Sequence, residues 1–236
     1  MDRTAFYIDD HAHLCALFIK HLMQKSPETG LQVLERAVNI YARERGLRSA
    51  MRCLANNDPL TVASYMVYAE LQDYKAWNKS VVVALAPFYQ SNMVSCGWYD
   101  TWKKFGLLEY GKLYCNWIDV SLLQGFNPEI HLEMGEILAH GASVCAFNWR
   151  NFAFKDQDEV DKILARRKEL FYEVTKDFLY HSGHMLNSFK RTLYLELGPA
   201  IGQIIVEGAL TDYAKDFGND KRALIEAESN QDFQRV

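Results

Sequence analysis

The chain lacks most of the signals that would place it quickly. It has no Cys-x-x-Cys pair, which disfavours a zinc ribbon or a redox dithiol. Its five cysteines, Cys15, Cys53, Cys96, Cys115 and Cys145, are odd in number and widely spaced. No apolar run approaches the roughly 18 residues of a membrane helix. The longest, Val81 to Phe88, has eight residues and reads as a buried strand. The N-terminus reads Met-Asp-Arg-Thr, with Asp9 and Asp10 ahead of any apolar run, unlike a secretory signal or a transit peptide. Reduced thiols in a cytoplasmic protein are therefore expected. Charge is nearly balanced: 26 basic against 30 acidic residues, net −4. That disfavours a phosphate-tracking surface, so neither nucleic acid nor membrane is an expected partner. Internal repeats, low-complexity tracts and Gly/Ser linkers are missing too.

What is present is a core. The 236 residues are 49% apolar, and a chain of this size buries about 70% of its unfolded surface. Leu14, Phe18 and Leu22 repeat at helical spacing and predict a helix over 8–24. A second helix is predicted from Ser26, with Pro27 at its first position and a stripe of Leu31, Leu34, Val38 and Tyr41. A separate short basic helix then carries Arg43, Arg45, Arg48 and Arg52, read as a solvated face, with a role in holding a substrate carboxylate as the unsupported alternative. Asp58 or Thr61 can cap the next segment, and 61–73 fits helix or strand. Val81–Val83 open a strand. Residues 97–106 and 111–124 read as helices, and Gly125-Phe-Asn-Pro stops the second. The alternation of Ile130, Leu132 and Met134, the turn at His140-Gly141 and the run Val144–Arg150 predict a hairpin over 129–150. Helices return over 157–190 and 200–217. These patterns describe one α+β domain over 1–218, a small antiparallel sheet within 80–150 covered by helices from both ends, and a polar tail at 219–236.

Several residues could carry chemistry. Cys115 and Asp119 are four apart, and on a helix over 111–124 they share one face. They could supply a thiolate nucleophile and a carboxylate for positioning or proton transfer; the ordinary alternative is a buried cysteine beside a solvated aspartate. Asp177, His181 and His184 share a helical face, where Asp177 could orient His181 as a base. A core histidine satisfied by a carbonyl is the plainer reading. A metal would need three or four converging ligands and only two are fixed by spacing, so none is expected. Cys145, Phe147 and Trp149 share a strand face as packing residues. His131 and Glu133 line a pocket or face water.

The central segment resembles a known family. Its blocks are Cys96-Gly-Trp-Tyr-Asp, Phe105-Gly-Leu-Leu-Glu-Tyr-Gly, Tyr114-Cys-Asn-Trp-Ile-Asp, Gly125-Phe-Asn-Pro and His140-Gly-Ala-Ser-Val-Cys-Ala-Phe. In this order they are similar to the L-2-amino-thiazoline-4-carboxylic acid hydrolase family. Arg45-Gly-Leu-Arg-Ser-Ala-Met-Arg, Asp58-Pro-Leu-Thr, and Tyr65, Tyr68 and Glu70 match upstream, and His181 and His184 downstream, for coverage of about 30–217. One stretch departs: Met134-Gly-Glu-Ile stands where the family carries Arg-Thr-Gln-Thr, which alters how a substrate is held.

The resemblance implies a cofactor-free hydrolase of a small cyclic amidine. Water adds to the carbon between sulfur and nitrogen, the ring C–N bond breaks, and a carbamoyl-cysteine results. Cys115 is the favoured nucleophile, with Cys96 a competitor at a helix start. His184 or His181 is the base and Asp119 the orienter. Asn116 or Asn127 donates to developing charge, and Cys96, Tyr68, His131 and Cys145 complete the substrate-binding set. Two alternatives stay open: a ring-closing or amide-processing enzyme, and a non-catalytic small-molecule-binding module on the same scaffold. Association between copies of the chain is open as well.

Overall fold

The computed structural model describes residues 6–73 and 75–234. Its elements run α1 (Ile8–Lys25), α2 (Gly30–Ala55), α3 (Val62–Tyr68), β1 (Lys79–Ala84), β2 (Tyr89–Ser95), α4 (Gly97–Lys104), α5 (Leu108–Gly111), a 3-10 turn (Tyr114–Asn116), α6 (Ile118–Phe126), β3 (Leu132–Met134), a second 3-10 turn (Leu138–His140), β4 (Cys145–Trp149), α7 (Gln157–Glu169), α8 (Phe171–Val174), α9 (Phe178–Phe217) and α10 (Asn219–Glu228). The class is α+β, as the periodicity indicates. Contacts group the chain into two compact units. One holds the chain up to Tyr41, Gly97–Ile118 and Asp177–Phe233; the other holds Ala42–Cys96 and Asp119–Lys176.

In the first unit, α1 is buried along most of its length. Asp10 fixes its start. The carboxylate accepts from the Tyr7 amide at 2.9 Å, the Tyr213 hydroxyl at 2.6 Å and the Lys221 ammonium at 2.7 Å. Trp102 donates its indole N–H to the Ala12 carbonyl at 2.8 Å, which ties α4 to α1. The α9 helix changes direction at Gly198, whose φ of 78° is open to glycine and followed by Pro199. By length and composition α9 could cross a membrane, but core helices share those properties, and its first half buries His181, Ser182, His184 and Ser188. Beyond Gly218, where a polar tail is expected, α10 forms and buries Ile225.

In the second unit a four-stranded antiparallel sheet has the order β1-β2-β4-β3. The expected hairpin is β3–β4, paired from Leu132↔Trp149 to Met134↔Phe147. One expectation about the sheet needs correction. The valine run is not a buried strand: β1 is an edge, and Val81, Val82 and Val83 are 47%, 42% and 55% exposed. Hydrophobicity reports strand propensity here, not burial. The inner strand β2 is Tyr-Gln-Ser-Asn-Met-Val-Ser, too polar to stand out in sequence. Behind the sheet, Val62, Tyr89, Leu123, Trp149, Phe154 and Val160 form one core cluster.

The second helix also differs from expectation. It starts at Gly30 rather than Ser26 and runs unbroken through the basic stretch to Ala55. Leu34, Val38, Tyr41, Arg45, Arg48 and Arg52 therefore continue one stripe at alternating spacings of four and three. The three arginines lie on the helix's buried face. They are 4%, 1% and 6% exposed, which overturns the solvated reading.

Candidate functional site

The site in the second unit begins with two glycines. A Cβ on Gly46 would lie 2.0 Å from the Leu122 carbonyl oxygen, and one on Gly125 would lie 2.3 Å from the Arg43 carbonyl oxygen. Only glycine at both positions lets α2 and α6 touch backbone to backbone. That crossing brings Arg45, beside Gly46, within electrostatic reach of Asp119 in the first turn of α6.

Three arginines then converge on one carboxylate. Arg48 makes a two-pronged pair with Glu70, Nε to Oε1 at 2.8 Å and Nη2 to Oε2 at 2.9 Å. Arg52 Nη1 donates to Glu70 Oε1 at 2.7 Å. Arg45 Nε lies 3.9 Å from Oε2. Glu70 itself is 2% exposed. Spacing alone could have shown these arginines as one face; reading the basic stretch as a separate helix hid it.

Asp119 is the carboxyl in this cluster whose titration is moved toward neutrality. Burial of its carboxyl pushes the pKa up to about 6, and the nearby Arg45 guanidinium only partly offsets the loss of water. Tyr65 feels the same charges: burial pushes its phenol up to about 12, with Arg45 pulling down and Asp119 pushing up. Cys145 is raised chiefly by burial, eased by the Leu138 amide donating to Sγ at 3.4 Å, with Asp119 adding a further upward push. Asp119, Arg45, Tyr65 and Cys145 thus form one coupled cluster drawn from α6, α2, α3 and β4. Tyr65 and Arg45 stood in the resemblance blocks without a role; burial and charge supply one.

The other expected site residues lie elsewhere in the fold. Tyr68 donates its hydroxyl to Asp58 at 2.6 Å, and Arg166 reaches the same carboxylate at 2.7 Å. Asn127 spans a turn, its amide nitrogen on the Leu60 carbonyl at 2.7 Å and its oxygen on the Glu129 amide at 2.9 Å. That carboxamide builds the Gly125-Phe-Asn-Pro turn. His131 is exposed just before β3, where its backbone amide donates to Asn151. Asn116 is exposed on its 3-10 turn. Cys96 directly precedes α4, at the expected helix start.

Cys115 and Asp119 do not share a helix, contrary to expectation. Cys115 sits on the 3-10 turn and Asp119 on α6, separated by the break at Trp117, whose φ is −132°. They fall in different compact units. Cys115 is partly buried. In the first unit, His181 and His184 are both fully buried. The His184 ring lies 4.7 Å from that of Tyr41 and 4.8 Å from that of Phe233. The Tyr41 hydroxyl in turn meets His11 Nε2 at 2.8 Å, and His11 Nδ1 accepts from Trp98 at 3.1 Å. Asp177 caps α9, accepting the Tyr180 amide at 2.8 Å. Among the described residues no three His, Cys, Asp or Glu side chains gather as a metal ligand set.

The half-buried Asp119 carboxyl, its arginine neighbour and the ordered cysteine blocks all fall inside the span of one family model. The model of the L-2-amino-thiazoline-4-carboxylic acid hydrolase family matches residues 9–149, which contain Arg45, Arg52, Tyr65, Glu70, Cys96, Cys115, Asp119 and Cys145. His181 and His184 lie beyond the match. No curated protein and no solved structure matches the chain. More than half of the sequence is covered, and the chain belongs to the L-2-amino-thiazoline-4-carboxylic acid hydrolase family.

Proposed function

We propose that the protein hydrolyses a small cyclic amidine of the thiazoline type, opening the ring at its C–N bond, with Asp119 moving the proton. The observation that carries this reading is the family match over residues 9–149, inside which Arg45 and Tyr65 lie within electrostatic reach of an Asp119 carboxyl pushed up to about 6. A carboxyl titrating there is mostly ionised at neutrality with its protonated form within reach, so it can accept a proton and return it within one turnover.

In the proposed reaction a nucleophile adds to the amidine carbon between sulfur and nitrogen. The ionised Asp119 takes its proton. The tetrahedral carbon then expels the ring nitrogen, which leaves as an amine carrying the proton Asp119 returns. If water attacks, the product is directly an S-linked carbamoyl group. If Cys115 attacks, its sulfur first holds the opened amidine. Water then adds to that carbon and the Cys115 thiol departs, giving the same product. We assign attack to Cys115. In this covalent variant His184 or His181, which share the first unit with Cys115, takes the thiol proton in place of Asp119.

The products decide the bond. C–N cleavage of 2-amino-thiazoline-4-carboxylate yields a free amine and no new thiol. C–S cleavage yields one thiol per turnover. Hydrolysis without thiol release supports the reading. Stoichiometric thiol release overturns the bond assignment, and no turnover across a thiazoline and imidazoline panel overturns the hydrolase reading for these substrates.

A further inference from the structure

The arginine cluster beside Asp119 holds more donors than Glu70 uses. Arg48 spends Nε and Nη2 on that carboxylate, and Arg52 spends Nη1. Arg52 Nη2 is buried and meets no acceptor among the described residues. A guanidinium N–H without an acceptor is costly, because each lost partner leaves a desolvated donor on a charged group. Arg52 cannot escape this by losing a proton. The rest of its fork is pinned: Nη1 is on Glu70 and the backbone is in α2, where the Asn56 amide caps its carbonyl at 2.9 Å. Nη2 is therefore a fixed donor of known direction.

We propose that Arg52 Nη2, next to Arg45, receives the carboxylate of the substrate, and so makes an anionic group on the ring the specificity determinant of this enzyme. The proposal rests on the cyclic-amidine reading given above. The route from Arg52 to the reacting end is short in structural terms. Arg52 and Arg45 share the Glu70 carboxylate, at 2.7 and 3.9 Å, and Arg45 is the charge that acts on Asp119 and Tyr65. A small molecule whose carboxylate sits a few bonds from its amidine matches a donor and a proton carrier linked through one arginine. A single-charged, planar group suits the site better than a phosphate. Glu70 already stands within hydrogen-bond distance of Arg52, so a phosphate, with its greater charge, would be repelled more strongly than a carboxylate.

The test is equilibrium binding and turnover with two probes, 2-amino-thiazoline-4-carboxylate and its 4-carboxamide, on the full-length protein and on Arg52→Lys and Arg52→Gln. The unsubstituted protein should bind the carboxylate at least about tenfold more tightly than the carboxamide, as a lost charge-assisted hydrogen bond implies. Both variants should shrink that ratio toward one, through KM more than kcat, and Arg52→Lys should fold if Arg52→Gln does not. Equal binding of the two probes by the unsubstituted protein overturns the proposal without any variant. A preference that survives in folded Arg52→Lys and Arg52→Gln also overturns it and assigns the carboxylate elsewhere. Selective binding without hydrolysis would leave the carboxylate site standing and remove the hydrolase reading instead. Hydrolysis indifferent to the carboxylate would do the reverse.

Discussion

Arg48 and Glu70 form a two-pronged ion pair, at 2.8 and 2.9 Å, in which both residues are at most 2% exposed. The same carboxylate also takes Arg52 at 2.7 Å. Removing it leaves two buried guanidiniums without that acceptor. Truncating one partner of a buried pair costs about 3–5 kcal/mol. Glu70→Ala is therefore expected to lose that much stability in urea denaturation. Glu70→Gln, which keeps the shape and one acceptor, should lose less. Equal stability of Glu70→Ala and the unsubstituted protein would remove Glu70 as the anchor of the cluster.

Asp119 predicts a pH dependence of definite sign. Its pKa is raised by burial from 3.8 to about 6. Between those values the folded chain holds a proton that the unfolded chain has lost, so the contribution of Asp119 to stability falls as pH rises through this window. The fall is of the order of 3 kcal/mol. Asp119→Asn should abolish that slope. For catalysis the ionised form begins the cycle, so kcat/KM should climb with pH to a plateau above about 6. Asp119→Asn should flatten the climb and lower kcat by about two orders of magnitude. A rate profile in the asparagine variant that keeps the same midpoint would assign the titration to another group.

Gly46 and Gly125 predict a mechanical effect on the same site. Alanine at either position puts Cβ within 2.3 Å of a backbone oxygen that no rotamer change can move. The helices must separate, at a cost of about 2–3 kcal/mol or more. Because the crossing sets Arg45 beside Asp119, Gly46→Ala should also shift the midpoint of the rate profile. Thermal melts and rate profiles of the two alanine variants test both effects. A destabilised variant with an unmoved midpoint would separate packing from the site.

Much of this was legible in the chain because periodicity is a local property. The apolar stripe Leu14, Phe18, Leu22 marks α1, and Leu132 and Met134 mark β3. What escaped depended on tertiary context. Nothing in Tyr-Gln-Ser-Asn-Met-Val-Ser identifies an inner strand, because β2 draws its order from hydrogen bonds on both sides. Arg45, Arg48 and Arg52 look like a solvated face until Glu70, eighteen residues beyond Arg52, is placed among them. Asp119 was singled out for its distance from Cys115. The burial that makes it chemically useful is a property of the fold, and Trp117 breaks the helix the spacing assumed.

The last prediction concerns the nucleophile. The five cysteines differ in setting, and thiolate character governs their reactivity. Cys15 is fully buried in α1, and burial raises its pKa strongly. Cys53 and Cys145 are buried and raised as well. These three should alkylate slowly at neutral pH. Cys96 and Cys115 keep partial solvent access, so iodoacetamide labelling followed by peptide mass mapping should find these two first. Cys96 precedes a helix N-terminus, which favours a thiolate. Cys115 lies on a tight 3-10 turn inside the matched family span. The proposed mechanism expects substrate to protect Cys115 and expects Cys115→Ser to lose turnover by about two orders of magnitude or more. Circular dichroism establishes that the variant folds. Cys96→Ser should keep most of its activity. His181→Ala and His184→Ala, made singly, should show which histidine supports the thiol, as a loss of about a hundredfold in one of them. If Cys115→Ser turns over normally while Cys96→Ser is dead, the two cysteines exchange roles. If neither substitution matters and Asp119→Asn still does, the covalent step disappears, and Asp119 activates water directly.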